Sequence, residues 1–304
     1  MSGDSLVFES KAIKLTLLSL FVSILIFIFK LIAFFITKSV AIYSDAMESI
    51  INIISAIIAF LGSKIALKSP DEKYPYGYTK LEYFVSIIEA FFILFVSISI
   101  LWKVYQQLLN PKPFTNLNIG VLLIFVTIIL NSILSYYIYK QGKKENSPIL
   151  ISHASHLYTD VITTAGVITG VYVAHFSKFL IIDPLIGLII GINILYLGFR
   201  IIKNSITALL DISLPQEKID SIQRIIENTI KDSSYENYVI HDVHDFKTRR
   251  AGRKGFVEFH LTVSGNMPVK EAHNLCDELE KKITEKFPEL SVTIHIEPEE
   301  EKKK

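Results

Sequence analysis

Five polar residues set into apolar stretches are where this chain can do chemistry. Asp45, Glu48 and Asn52 lie in the run Val40–Leu67, and His156 and Asp160 lie in the run Ile149–Phe176. At 100° per residue the first three fall within about 60° of one another on a helix, and His156 and Asp160, four apart, share a face. Two carboxylates and a carboxamide on one helix, opposite an imidazole and a carboxylate on another, make a divalent-cation site whose donors suit Zn²⁺, Fe²⁺ and Mn²⁺. The plainer reading is that these groups sit near helix ends and bond to backbone or water. Against it stands the cost of ionisable groups inside a membrane, which makes them functional candidates by default. His153 stands three residues before His156, near the start of its run, and its membership of the site is open, as is that of Asp45.

Helices long enough to hold such a site across a bilayer are readable from composition. Half of the 304 residues are hydrophobic and only 20% are charged, below the roughly 25% of soluble domains, and mean hydropathy is +0.41. Apolar runs at Ile13–Thr37, Val40–Leu67, Leu81–Leu108, Ile119–Tyr139, Ile149–Phe176 and Phe179–Ile202 each reach the roughly 20 residues that cross the hydrocarbon core. The first exceeds a secretory h-region and has no small-residue cleavage site. Trp102 and Tyr105 suit an interfacial anchor. Lys11, Lys14, Lys64, Lys68, Lys73, Lys80, Lys140, Lys143, Lys144, Arg200 and Lys203 fall on the side of both termini, against Lys38, Lys103, Lys112 and Lys178 opposite. The positive-inside rule therefore places both termini in the cytoplasm, and the expected location of this multi-pass chain is the cell's inner (plasma) membrane.

The net charge of +1 hides a split, because 33 of the 61 charged residues lie in the last 89 positions. Near neutrality argues against nucleic-acid binding. The single cysteine, Cys276, excludes an internal disulfide framework and suits a tail in a reducing compartment; without a CxxC or an adjacent cation it reads as core packing. Apolar spacing predicts an amphipathic helix over Gln216–Lys231 and another over Val269–Phe287. Strands are expected at Val239–Thr248, Gly255–Val263 and Leu290–Ile296, the first two joined by a basic turn, Arg249–Lys254. The expected fold class is thus an all-α six-helix transmembrane domain (1–212) followed by a cytoplasmic α+β domain (213–304). That second domain has αββαβ order, ferredoxin-like or metallochaperone-like, with helices on one face of a small sheet. Glu299–Lys304 reads as a solvated charge run. Five of the eight histidines are in this tail: His241, His244, His260, His273 and His295.

Several landmarks together resemble the cation diffusion facilitator family, close to its bacterial zinc/iron efflux members. They are Ser39-Val40-Ala41-Ile42, His156-x-x-x-Asp160, Asp183-Pro184-Leu185-Ile186-Gly187, Ala208-Leu209-Leu210-Asp211 and Leu214-Pro215, with the tail histidines, and they extend from about Lys11 to Pro298. The resemblance implies a homodimer in the lipid bilayer that exports divalent metal in exchange for protons by alternating access, with no catalytic cofactor and no enzymatic activity. It implies a transport site at Glu48, Asn52, His156 and Asp160. It also implies tail metal ligands His244, His260, His273 and His295 with Glu297 at the acidic position, and a charge interlock of Lys80 with Asp211 at the dimer interface. His241 and Asp242 have no counterpart and are expected to face solvent, and Glu89, deep in the third span, has no assigned role.

The departures bear on the metal. Asn52 stands where the family usually has Asp, so the set holds less charge, and Zn²⁺, Mn²⁺ and Fe²⁺ all remain open as substrate. A second family site, in the loop after span two, uses an Asp and two His. Here Tyr74 and Tyr78 take the histidine positions, leaving Asp71, and that site is expected to be missing. An intramembrane metalloprotease would need a motif such as His-Glu-x-x-His, which does not occur. A membrane-anchored dimeric metal sensor without transport is the competing function.

Overall fold

The computed structural model describes residues 3–66, 68–111, 113–144, 148–232 and 239–299. Leu67, Lys112 and the charged run beyond Glu299 lie outside the described residues, as do the side chains of Lys11, Lys14 and Lys64. Six helices come first: α1 (Gly3–Thr37), α2 (Val40–Ala66), α3 (Leu81–Leu109), α4 (Leu117–Lys144), α5 (Pro148–Ser177) and α6 (Ile182–Leu209). All six contain stretches long and apolar enough to cross a membrane. Many of their outward side chains are large and apolar, with Phe95 71% and Phe91 62% exposed, as expected of surfaces that meet lipid rather than water. By internal packing the chain divides into two compact units, Met1–Leu61 with Ser86–Ile202, and Gly62–Val85 with Lys203–Lys304.

In the first unit, the turn between α1 and α2 is made by Lys38 at φ 60 and by Ser39. The Ser39 hydroxyl accepts the Ile42 N–H at 3.2 Å, a side-chain cap on the first turn of α2. The Asp183 carboxylate of α6 completes this end: Oδ2 accepts the Val40 N–H at 2.7 Å, Oδ1 accepts the Ala41 N–H at 3.2 Å, and the Ser39 hydroxyl donates to Oδ1. A buried anion here satisfies N–H groups that a helix start leaves without partners and complements its dipole. Gly187, one turn along α6, lets the helices approach: a Cβ there would stand 3.0 Å from Val40 Cγ1 and 3.1 Å from Ser44 Oγ. Two sequence landmarks far apart in the chain are therefore two halves of one joint.

The tail forms α7 (Gln216–Asp232), β1 (Ile240–Ala251), β2 (Lys254–Val263), α8 (Val269–Lys286) and β3 (Leu290–Pro298), the expected αββαβ order. Its sheet has order β1-β2-β3, with β1 antiparallel and β3 parallel to β2. Val257, Phe259, Leu261 and Val263 of β2 pack with Ile222 and Ile226 of α7 and Leu275, Leu279 and Ile283 of α8. Alternation then sends Phe256, Glu258, His260 and Thr262 to the other face.

One sequence expectation needs correction. The basic segment Arg249–Lys254 is mostly strand, since Arg249, Arg250 and Ala251 pair with Phe256, Gly255 and Lys254. Only Gly252 and Arg253 turn, with Gly252 at φ 62, the positive φ that tight hairpins require. Apolar contact offsets the charge: the Arg249 guanidinium lies 4.1 Å over the Phe256 ring and 5.6 Å from that of Tyr76. A Cβ on Gly252 would also collide with the Thr79 carbonyl, and the Gly252 N–H donates to the Tyr83 hydroxyl at 2.7 Å.

Candidate metal sites

The membrane site begins with α2 against α5. Asn52 Nδ2 donates to Asp160 Oδ2 at 3.2 Å, which leaves the Asn52 carbonyl oxygen as its remaining donor to a cation. Glu48, Asn52 and Asp160 are half-buried, and His156, one turn before Asp160, is exposed. Glu48, His156 and Asp160 are not drawn into a set with ligand atoms within 4.8 Å of one another, so a closed shell at the ~2.0–2.2 Å of metal–ligand bonds requires these side chains to move together.

Asp45 sits differently from Glu48, although it is only one turn away. Its Oδ1 is 2.9 Å from the Lys30 ammonium of α1 and accepts the Thr164 hydroxyl of α5 at 3.0 Å; Lys30 also donates to Thr164 Oγ1 at 3.0 Å. Lys30 is 2% exposed, and Asp45 and Thr164 are each 1% exposed. Oδ2 of Asp45 is buried without a hydrogen-bond partner. Lys30 lies within the apolar run of the first span, Ile13–Thr37. The signal that points to it is the same one that singled out Asp45: a charge within an apolar run needs a partner. His153 Nε2 lies 2.8 Å from the Ser19 hydroxyl of α1, a partner outside the α2–α5 set. Glu89 is half-buried on α3.

In the tail, strand register builds the cluster. His244 pairs with His260 across β1 and β2, and His260 pairs with His295 across β2 and β3. The three imidazoles therefore stand in a row on the sheet face away from the helices, with ring centroids 5.3 and 4.8 Å apart. Glu297 lies along them: its Oε1 is 2.7 Å from His260 Nδ1 and 3.8 Å from His295 Nε2, and its Oε2 is 3.3 Å from His244 Nε2. His244, His260 and Glu297 hold ligand atoms within 4.8 Å of one another, close enough to share one ion after modest rotamer changes.

Asp245 was not singled out from sequence, yet its Oδ2 is 3.5 Å from His260 Nε2. A β-bulge between His244 and Lys247 puts one extra residue in β1 and leaves Asp245 at φ 48. That irregularity reverses the side to which alternation would assign it. The hydrogen bond from the Lys247 ammonium, with the neighbouring charges, holds the Asp245 carboxyl below the usual range.

Other expected positions fall elsewhere. His273 is on α8, whose buried side chains pack on the opposite sheet face, and its Nε2 is 3.4 Å from Asp277; it does not join the cluster within one chain. His241 is exposed and pairs with Glu299 at 2.9 Å, and the Asp242 side chain is 40% exposed, its Oδ2 3.8 Å from His244 Nδ1. Cys276 is half-buried, and burial followed by the nearby Asp277 and Glu280 pushes its thiol up to about 11, an unreactive state. In the loop after α2, Asp71 accepts the N–H groups of Lys73 and Tyr74 at 3.1 and 2.8 Å and the Tyr78 hydroxyl at 2.5 Å. The carboxylate is spent on shaping the turn.

Lys80 Nζ is 2.7 Å from Asp211 Oδ1 within one chain, and Arg249 Nη1 is 3.5 Å from the same oxygen. The hydrogen bond from Lys80 is the first cause of an Asp211 carboxyl held below its ordinary range. A depressed carboxyl stabilises above its ordinary value and loses that contribution as pH falls through the folded-state value. Both side chains are over a third exposed, so the pair contributes about 1 kcal/mol at most. Lys80→Ala is expected to lower the melting temperature slightly at neutral pH, and by less at a pH below the ordinary carboxylate range, where progressive protonation of Asp211 weakens the pair. An equal loss at both pH values in thermal melts would show that Lys80 acts by packing alone.

The comparisons with known proteins agree with this architecture. Residues 16–210 match the cation efflux transmembrane domain, and residues 214–299 match the cytoplasmic domain of cation efflux proteins. An uncharacterised transporter of Synechocystis is 35% identical over 274 residues, covering 90% of this chain and 86% of its own. The cation-efflux pump FieF of Escherichia coli is 26% identical over 274 residues, covering 90% and 88%. The metal-bound C-terminal domain of the CzcD transporter from Thermotoga maritima is 30% identical, covers 28% of this chain and 94% of its own, and has a TM-score of 0.23. With six membrane-capable helices, metal-binding residue types on facing spans and both domain matches in order, the chain belongs to the cation efflux, or cation diffusion facilitator, family of metal transporters.

Proposed function

We propose that this protein exports a divalent transition metal (Zn²⁺, Mn²⁺ or Fe²⁺) from the cytoplasm in exchange for protons, by alternating access, as a homodimer with both termini cytoplasmic. The observation that carries this reading is the meeting of Asn52 and Asp160 between α2 and α5, beside Glu48 and His156. Two carboxylates balance the charge of one M²⁺, and the imidazole and amide oxygen complete a four-donor set. No covalent chemistry is needed: deprotonated ligands take metal from the cytoplasm, and protons return to His156 and a carboxylate as metal leaves on the other side.

The tail supports a regulatory role. Metal at His244, His260 and Glu297, with His295 beside them, would neutralise a crowded row of donors. His273 lies toward the wrong face to reach that row in its own chain, so its participation calls for a second copy.

Purified protein in liposomes with an imposed pH gradient tests the exchange. Zinc uptake is expected to fall at least about fivefold when the gradient is collapsed, and competition by Mn²⁺, Fe²⁺ and Cd²⁺ orders the substrates. Uptake indifferent to the gradient would rule out proton exchange.

A further inference from the structure

We propose that Lys30, Asp45 and Thr164 form a polar lock that closes the transport site toward the α1–α2 loop, with Lys30 as its positioning residue. This rests on the transport reading above and adds the boundary that the site must open. On α2, Asp45 lies three residues from Glu48 toward that loop, about 4.5 Å along the axis; on α5, Thr164 lies four residues beyond Asp160, about 6 Å along. Both displacements run toward the end that carries the α1–α2 and α5–α6 loops, so the triad is the next layer past the metal ligands.

Burial marks the layer as shut. All of residues 40–46 except Tyr43 are at most 1% exposed, and Val167, Val171 and Ala174 of α5 are at most 2% exposed. Glu48, Asn52 and Asp160 are only half-buried, and His156 is exposed. The structure is thus closed at the loop end and open around the ligands.

Three helices meet in the lock, with Lys30 from α1, Asp45 from α2 and Thr164 from α5, every contact between 2.9 and 3.0 Å. Two consequences follow from the charge. Asp45 is compensated by Lys30, which keeps it out of the metal's ligand set. The buried ammonium also repels a divalent cation that would leave between these helices, so release on that side requires α1 to carry Lys30 away from Asp45 and Thr164. In the proposed orientation this is the outward-opening step.

The test uses full-length protein in oriented vesicles with one reporter thiol, Ser44→Cys in a Cys276→Ser background. Ser44 is fully buried on the loop side of the ligands. A membrane-impermeant thiol reagent is added from the α1–α2 loop side. Lys30→Met and Asp45→Asn each leave one buried charge unpaired, and zinc flux is expected to fall at least tenfold in either. The neutral pair Lys30→Met/Asp45→Asn removes the lock without an orphaned charge, and reporter labelling is expected to rise at least fivefold. Labelling at the parent rate in this pair, with flux recovered, would reduce the triad to a structural staple and overturn the proposal. If the pair does not yield folded protein, Thr164→Val decides: about threefold faster labelling supports the lock, and an unchanged rate overturns it. Zinc flux of the parent protein is read in the same vesicles. No flux there would defeat the transport reading by itself, while the labelling comparison would still decide the lock.

Discussion

Asp160→Ala is expected to lower metal flux in proteoliposomes at least about 100-fold while the protein stays folded. Loss of even an outer partner of a metal ligand costs about 10–100-fold, and Asp160 is proposed as a ligand itself. The substitution removes one of two carboxylates opposing the cation and takes away the acceptor that orients the Asn52 amide at 3.2 Å. Asp160→Asn separates these contributions. It keeps the size and one acceptor oxygen but lowers the site's charge, so flux is expected to stay low while the fold remains native. The same experiment discriminates between transport and sensing. Zinc binding by the tail should be untouched in both variants, because His244, His260 and Glu297 belong to the other compact unit. A protein that acted only as a membrane-anchored sensor would show its full metal response with Asp160→Ala and no flux at all in the parent. Parent-level flux in Asp160→Ala would remove the span-five carboxylate from the mechanism.

Asp183→Ala is expected to have the largest effect on stability. The Asp183 side chain accepts the N–H groups of Val40 and Ala41 and the Ser39 hydroxyl, and the residue is wholly buried. Hydrogen bonds to a charged group contribute about 1.5–3 kcal/mol each. Losing three at once, with the donors left in a buried joint, is expected to cost roughly 3–5 kcal/mol. Melting of the purified protein in detergent should fall by several degrees or the protein should fail to accumulate. Asp183→Asn retains acceptors without the charge and should lie between the parent and the alanine variant. A melting temperature within a degree of the parent for Asp183→Ala would show that the α2–α6 joint is held by the packing around Gly187 instead. The prediction concerns stability and not metal binding, since Asp183 lies on α6 at the loop end and its contacts are with the start of α2.

Much of the candidate site was legible because it depends on local spacing. Glu48 with Asn52, and His156 with Asp160, are separated by one helical turn, so each pair shares a face before any tertiary contact is known. Asp45, three residues before Glu48, falls on the same face, and for it spacing was not enough. Its role depends on a lysine 15 residues earlier and a threonine 119 residues later, whose approach is set by how α1, α2 and α5 pack and rotate. The tail shows the same division. The strands of His260 and His295 were expected from composition, but their alignment with His244 is a matter of register.

From sequence alone came six spans, a charge-rich αββαβ tail, and the identity of the few residues too polar for their surroundings. Hydropathy and periodicity are properties of neighbouring residues, and no long-range contact is needed to read them. The tertiary structure decided which of those residues meet. Lys30 claims Asp45 because three helices bury the two charges together. Asp245 joins the histidine row because a bulge breaks strand alternation, and His273 is kept from that row by the thickness of its own sheet. Such partnerships depend on packing between distant segments, where a one-residue change of register or a partial rotation of a helix redirects a side chain that spacing alone leaves free.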